Sequence, residues 1–346
     1  MKTGRILLKI AIGLGVVLLS FTSWPGSWAT KLEGLTERPA VQLQVPKDYW
    51  EDVYIPSKTL NRKAVEDIRV LSDPGLQGRR AGTAGETKTL VYLEKQLKDL
   101  HLLPFGVENN YWQLFSIPTM KETIINGRVL FRPDPRDSFL NPSANILAAI
   151  PGQDPSQNVI ISAHYDHLGV YKGQLYPGAN DNASGVACVL EVTRRLTADA
   201  LAGKHPIPNI VVAFWGAEEM GFLGSSYFVS QPTVPLTTIK AVINFDSVAN
   251  GPKEDFILWS KEEDNLVPTV LQVVSSMGGN IKKVPGQGHA SDELPFGRVG
   301  VPAVTLLSEQ WLTKNHTPED DIKGINEEKL DLASDILYAL VKEIAY

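Results

Sequence analysis

The chain has 346 residues, with 33 Lys and Arg against 39 Asp and Glu and a formal charge of −6. That length suffices for one large α/β domain with its own core, and an acidic balance without a basic stripe excludes nucleic acid as a partner. Cys188 is the only cysteine, so no intramolecular disulfide can form.

Residues 1–29 have the layout of a secretory signal peptide. Lys2, Arg5 and Lys9 precede an uncharged apolar run over residues 10–21, and Ser27-Trp28-Ala29 places small residues at both cleavage-determining positions. The run is shorter than the ~20 residues that span a bilayer, so cleavage is expected over retention as a membrane anchor. Cleavage removes three basic residues and takes the formal charge from −6 to −9. A secreted or periplasmic protein with no stable membrane insertion is the expectation.

Residues 30–58 carry Pro39, Pro46 and Pro56 without a sustained period and read as an extended lead-in; residues 59–346 read as a single domain. A helix is expected over 61–71, then a glycine-punctuated loop over 73–85 that lacks the strand and spacing of a phosphate-binding loop. A second helix over 86–100 aligns Leu90, Leu93, Leu97 and Leu100, with His101 closing it. Strands follow at 112–117, 127–131 and 145–150, then the β-branched run at 159–163. A helix over 184–200 contains Cys188 in an apolar setting, which makes it a structural thiol. Further strands are expected at 209–215, 239–245, 256–260 and 303–307, with a helix opening at 216–221 and others over 262–277 and 326–344. This alternation predicts an α/β protein with three α/β/α layers around a central, mostly parallel but mixed sheet.

Acidic and imidazole side chains recur where these strands end: His164, Asp181, Glu218-Glu219, Asp246 and His316. Open α/β sheets place ligand sites at the carboxyl ends of their strands. Charges at such a rim cost several kcal/mol, roughly, unless a metal or cation offsets them. Two histidines with three carboxylates suit a pair of zinc ions, one carboxylate bridging. Glu218, beside a ligand candidate, is placed to serve as general base. Asp166, two residues past His164, is a candidate partner for the imidazole's other nitrogen.

Several motifs together resemble the secreted co-catalytic di-zinc exopeptidases of the bacterial leucyl aminopeptidase and glutamate carboxypeptidase type. They are His164-Tyr165-Asp166-His167, Gly178-Ala179-Asn180-Asp181-Asn182-Ala183-Ser184-Gly185, Glu218-Glu219, Asn244-Phe245-Asp246 and His316-Thr317-Pro318-Glu319-Asp320, in the family's order. The loop at 78–85 and the segment at 291–296 resemble it too. The resemblance covers roughly residues 60–345. It implies that His164, Asp181 and Asp246 bind one zinc and that Asp181, Glu219 and His316 bind the other, Asp181 bridging. It also implies that Asp166 orients His164, that Glu218 activates the water between the ions, and that the Asp181–Asn182 peptide bond is cis.

The function so implied is zinc-dependent exopeptidase activity, foremost an aminopeptidase releasing N-terminal residues from peptides or small aminoacyl substrates. The alternatives are a carboxypeptidase-type dipeptide hydrolase, a single-zinc acyl transferase resembling glutaminyl cyclases, and a non-catalytic receptor on the same fold. A carboxypeptidase requires an arginine for the terminal carboxylate, and the sequence does not assign Arg298 to a pocket. His167 is expected to support the site or the fold, His205 to be solvated, and His289 to belong to loop geometry. Two glycan-acceptor patterns, at Asn182 and Asn315, overlap the site and are read as coincidental. No G-x-S-x-G elbow is present, which leaves a serine hydrolase unsupported. Side-chain preference and oligomeric state lie beyond these motifs.

Overall fold

The computed structural model describes residues 49–346 apart from 52, 126–127, 135, 138–139 and 287–288. The expected signal peptide and most of the lead-in fall outside the described residues. No helix among the described residues is long and apolar enough to cross a membrane.

The first two helices are α1 (Ala64–Leu71) and α2 (Ala84–Asp99). Thr83 caps α2 by accepting the Glu86 N–H, and the Glu86 carboxylate accepts the Gly82 N–H in return, so the helix starts at Ala84, ahead of the position expected for it. His101 closes the helix as expected, with its N–H on the Lys98 carbonyl and a left-handed φ of 53°. Strands β1 (Leu103–Pro104), β2 (Trp112–Pro118), β3 (Met120–Ile125), β4 (Arg128–Pro133), β5 (Leu140–Ile150), β6 (Asp154–His164), β7 (Gly169–Tyr171) and β8 (Gln174–Tyr176) precede helix α3 (Gly185–Leu201). The second half alternates: β9 (Pro208–Trp215), α4 (Leu223–Ser230), β10 (Ile239–Phe245), β11 (Asp255–Ser260), α5 (Val267–Ser276), β12 (Asn280–Lys283), α6 (Glu293–Arg298), β13 (Ala303–Ser308) and α7 (Glu327–Ala345).

Nine strands form the central sheet in the order β1-β5-β9-β6-β10-β13-β11-β12, with β2 also paired to β5. Its middle, β9-β6-β10-β13, is parallel throughout. Antiparallel pairs join β5 to β9 and β11 to β13, so the sheet is mixed, with its parallel part central. Side chains alternate between two packed faces. On β9, Ile210, Val212 and Phe214 meet helices α1, α2, α3, α5 and α7, while Val211, Ala213 and Trp215 meet Phe228 of α4 and Phe296 of α6. Both faces are covered, which gives the three layers and explains why these strands are apolar end to end.

The differences from expectation have local causes. The helix expected over 262–277 begins at Val267, because Asp264 accepts the Leu266 and Ala303 N–H groups and holds the preceding residues as a turn. No helix opens at 216–221; left-handed φ at Ala217, Gly221 and Phe222 confines 218–220 to a single 3₁₀ turn before α4. The short elements β1, β3, β7, β8, β12 and α6 were unforeseen, and two of them show why. Polar Lys121-Glu122-Thr123 masks β3, which pairs with β4 outside the main sheet, and β12 is a four-residue edge strand of Asn280-Ile281-Lys282-Lys283.

Candidate metal centre

All seven expected site residues converge where the parallel strands end. His164 is the last residue of β6, Asp246 immediately follows β10, and Glu218 and Glu219 follow β9. Asp181 lies in the turn that leads into α3, and His316 in the loop beyond β13. Since β9, β6, β10 and β13 are neighbours in the sheet, residues far apart in sequence share one mouth.

Asp181 stands at the centre with one oxygen toward each imidazole. Its Oδ1 lies 3.4 Å from His164 Nε2, and its Oδ2 lies 3.3 Å from His316 Nε2. Asp246 Oδ1 is 3.5 Å from the same His164 nitrogen, and Glu219 Oε2 is 2.9 Å from that of His316. Ligand atoms of His164, Glu218 and Asp246 all fall within 4.8 Å of one another, as do those of His167, Asp181 and Glu219. The Asp181–Asn182 peptide bond is cis, as the resemblance implied.

The turn carrying Asp181 is fixed from three sides. Asp320 accepts the Asn180 and Asp181 N–H groups through its two carboxylate oxygens. Gly178 has φ 61°, and a Cβ there would sit 2.3 Å from the Asp181 carbonyl and 2.5 Å from the His167 ring; only glycine leaves that space. Arg79 is fully buried below. Its guanidinium donates to the carbonyls of Tyr165 at 2.8 Å, Leu71 at 2.6 Å, Pro177 at 2.7 Å and Gly178 at 2.9 Å. It thereby ties the residue after His164 to the turn before Asp181.

Asp166 sits closer to the Glu218-Glu219 turn than to the imidazole it was expected to orient. Its oxygens accept the Glu218 N–H at 2.9 Å and the Glu219 N–H at 3.4 Å. His164 Nδ1 lies 3.2 Å from the Asp166 carbonyl and 3.8 Å from its carboxylate. His316 Nδ1 faces the Val129 carbonyl of β4 at 3.0 Å. Each of these contacts leaves Nε2 directed at the carboxylates.

Electrostatics follow from this crowding. Burial alone would lower the His164 imidazole, but Glu218 and Asp246 outweigh it and raise its pKa well above the ordinary value. Burial is likewise overcome at His316, which Glu219 and Asp181 raise to about 10. Glu219 is held at about 2 although burial works upward, chiefly by His316. Burial pushes the Glu218 carboxyl well above the carboxylate range, against the His164 imidazole and with help from Glu219 and Asp292.

Of four supporting contacts, the sequence pointed to one, His167, and did not single out those of Asn315, Asp320 and Arg79. His167 Nδ1 lies 2.8 Å from Glu219 Oε1, which fixes the outer oxygen of that carboxylate. Asn315 Nδ2 donates to Asp181 Oδ2 at 2.5 Å. Asp320 and Arg79 were present only as members of an acidic run and a glycine-rich loop. For Asn315 the available signal was adjacency to His316. Of the remaining candidates, His289 stands edge-on to Trp311, with ring centroids 5.0 Å apart, and His205 offers its carbonyl to Gln153. Arg298 is exposed at the end of α6. Cys188 is buried beneath α7, where burial pushes its thiol up to about 12. Asn182 is consumed by bonds to Phe245, Gly185 and Ser247, and Asn315 by Asp181, so neither glycan pattern has a free acceptor.

The fold and this cluster define an α/β/α protein whose acidic and imidazole side chains gather at the carboxyl edge of a parallel sheet. The chain belongs to peptidase family M28, whose sequence pattern matches residues 145–341. Among characterised relatives, it is 29% identical over 218 residues to leupeptin-inactivating enzyme 1 of Streptomyces exfoliatus, a match covering 57% of this chain and 47% of that one. It is 30% identical over 194 residues to aminopeptidase YwaD of Bacillus subtilis, covering 54% and 40% respectively. The match thus spans less than half the length of either relative. The fold is shared with the aminopeptidase from Aneurinibacillus sp. strain AM-1 (TM-score 0.66, 17% identity, 84% of this chain and 95% of that one). It is shared equally with the zinc aminopeptidase BSAP of Bacillus subtilis (TM-score 0.66, 20% identity, 85% and 97%). The glutaminyl cyclase of Porphyromonas gingivalis has the same fold at TM-score 0.61 and 19% identity, covering 81% and 97%.

Proposed function

We propose that the chain is a zinc-dependent aminopeptidase that hydrolyses the first peptide bond of short peptides. The observation that carries this reading is Asp181, which presents its two oxygens at 3.4 and 3.3 Å to two different imidazoles, each with its own second carboxylate. Such a donor set, nitrogen and oxygen only with one bridging carboxylate, fits two zinc ions. His164, Asp181 and Asp246 would hold one, and Asp181, Glu219 and His316 the other. When bound, the ions supply Lewis acidity to the scissile carbonyl and to the attacking water.

The remaining work falls to side chains of this chain. Glu218, bordering His164 and Asp246, takes the proton of the attacking water and returns it to the leaving amine. Asp166 holds Glu218 and Glu219 at their backbone N–H groups, and His167 steadies Glu219. Residues 59–346 form the single catalytic domain, and the basic-then-apolar pattern of residues 1–29 supports export to a secreted or periplasmic location.

A substrate panel with metal quantification tests the reading. Two zinc ions per chain, chelator-sensitive release of free amino acids from unblocked peptides and no action on N-blocked ones are expected. Cyclisation of glutaminyl peptides with one zinc per chain would overturn it in favour of the acyl-transfer chemistry of the glutaminyl cyclase neighbour.

A further inference from the structure

Arg128 opens strand β4 and reaches the mouth of the centre. Its Nη2 donates to Asn315 Oδ1, and Asn315 in turn donates to Asp181, so one asparagine side chain separates the guanidinium from the bridging aspartate. The guanidinium carbon lies 5.9 Å from the Trp311 ring centroid, and His289 stands on Trp311 beside it. The Arg128 Nε is buried with no hydrogen-bond partner.

Other arginines that are wholly or partly buried are satisfied. Arg80 pairs with Glu122, Arg194 with Asp67 and Arg195 with Asp335, and Arg79 has its four carbonyls. Arg128 has no carboxylate partner among the described residues. A partly buried guanidinium whose Nε has no partner, one asparagine from the metal centre, is suited to binding a carboxylate.

We propose that Arg128 binds the free carboxylate of a substrate that ends one residue past the cleaved bond, which makes unblocked dipeptides the preferred substrate class. This rests on the aminopeptidase reading for the position of the cleaved bond. With the scissile carbonyl at Asp181 and Glu218, the next residue begins one Cα step of ~3.8 Å further on. Its carboxylate then falls within reach of a guanidinium lying one asparagine beyond Asp181. Trp311 forms the wall against which that residue packs, and Asn315 keeps the fork turned toward the cleft. Arg298, which the sequence does not assign to a pocket, is exposed on α6.

The test compares leucyl-glycine with leucyl-glycinamide, identical but for the terminal charge, on the zinc-loaded protein. The acid should have kcat/KM higher than the amide by about 10- to 100-fold, the range of a hydrogen bond to a charged group. R128M should remove that preference by weakening the acid alone, mainly in KM, and R128K should restore part of it. Equal turnover of acid and amide by the native protein, or equal losses on both in R128M, would overturn the proposal; equal losses are what a purely supporting role through Asn315 produces. Binding of both ligands to Glu218→Gln protein, by calorimetry, separates this inference from the reading beneath it. Tighter, Arg128-dependent binding of the acid without turnover by the native protein sinks the aminopeptidase reading and keeps the carboxylate site. Turnover with equal binding does the reverse.

Discussion

Asp166 Oδ1 accepts the Glu218 backbone N–H at 2.9 Å, so the carboxylate two residues beyond His164 sets the position of the glutamate proposed to move the proton. The side chain of Glu218 is thereby left free for chemistry. Glu218→Gln should bind zinc as the native protein does and lose kcat by about 10²- to 10⁴-fold. Metal analysis and steady-state kinetics on the same preparation decide it, and near-native kcat would remove Glu218 from the role. Asp166→Ala frees the turn and should lower zinc affinity by about 10- to 100-fold, read by competition with a chelating dye.

Gly178→Ala should damage the centre without touching a ligand. The added Cβ meets the Asp181 carbonyl and the His167 ring at 2.3 and 2.5 Å, and the φ of 61° adds strain for any L side chain. A loss of at least about 1–2 kcal/mol in unfolding free energy is expected, with weakened zinc binding. A variant that unfolds and binds zinc like the native protein would show that the turn yields freely.

Glu293, which is not itself a proposed ligand, supplies a pH test. It accepts from Ser291 N–H and Thr305 Oγ1, and burial raises its carboxyl from the ordinary 4.5 to about 7. Between those values the unfolded chain has released a proton that the folded chain still holds, so stability falls as pH rises from about 4.5 to 7. Glu293→Gln keeps the acceptor and escapes the penalty. It should exceed the native protein by on the order of 2 kcal/mol at pH 8 and lose that advantage near pH 4. Denaturant midpoints at the two pH values check this, and a pH-independent difference would contradict it.

Arg79→Met should cost at least about 3 kcal/mol, because four carbonyl acceptors lose their donor inside the protein. Arg79→Lys, with three donors on a single nitrogen, should recover only part of this. Urea unfolding of both variants in chelator provides the measurement, and a loss below about 1 kcal/mol for methionine would contradict the accounting.

The long strands of the central sheet and the proposed ligands were readable because each rests on a local pattern. Val159-Ile160-Ile161 and Ile210-Val211-Val212 are β-branched runs buried on both faces, and His164 and Asp246 sit where such runs stop. Contacts made only by three-dimensional convergence were not readable. Val129 meets His316 and Arg128 meets Asn315 across 187 residues in each case, through a hairpin whose charged β3 strand conceals its pairing. Arg79 presented only a glycine-rich neighbourhood, since its partners are backbone carbonyls and carry no residue signature. Asp166 was expected beside His164 because it is near in sequence, yet its carboxylate is spent on the next strand's turn.

Those carbonyl partners make the Arg79 anchor indifferent to which side chains its neighbours bear. Leu71, Tyr165 and Pro177 can each be exchanged, as far as this anchor is concerned, for any residue that keeps the local chain path. Exchange of those side chains therefore leaves the four hydrogen bonds of the anchor in place, whereas exchange of the one arginine removes all of them together.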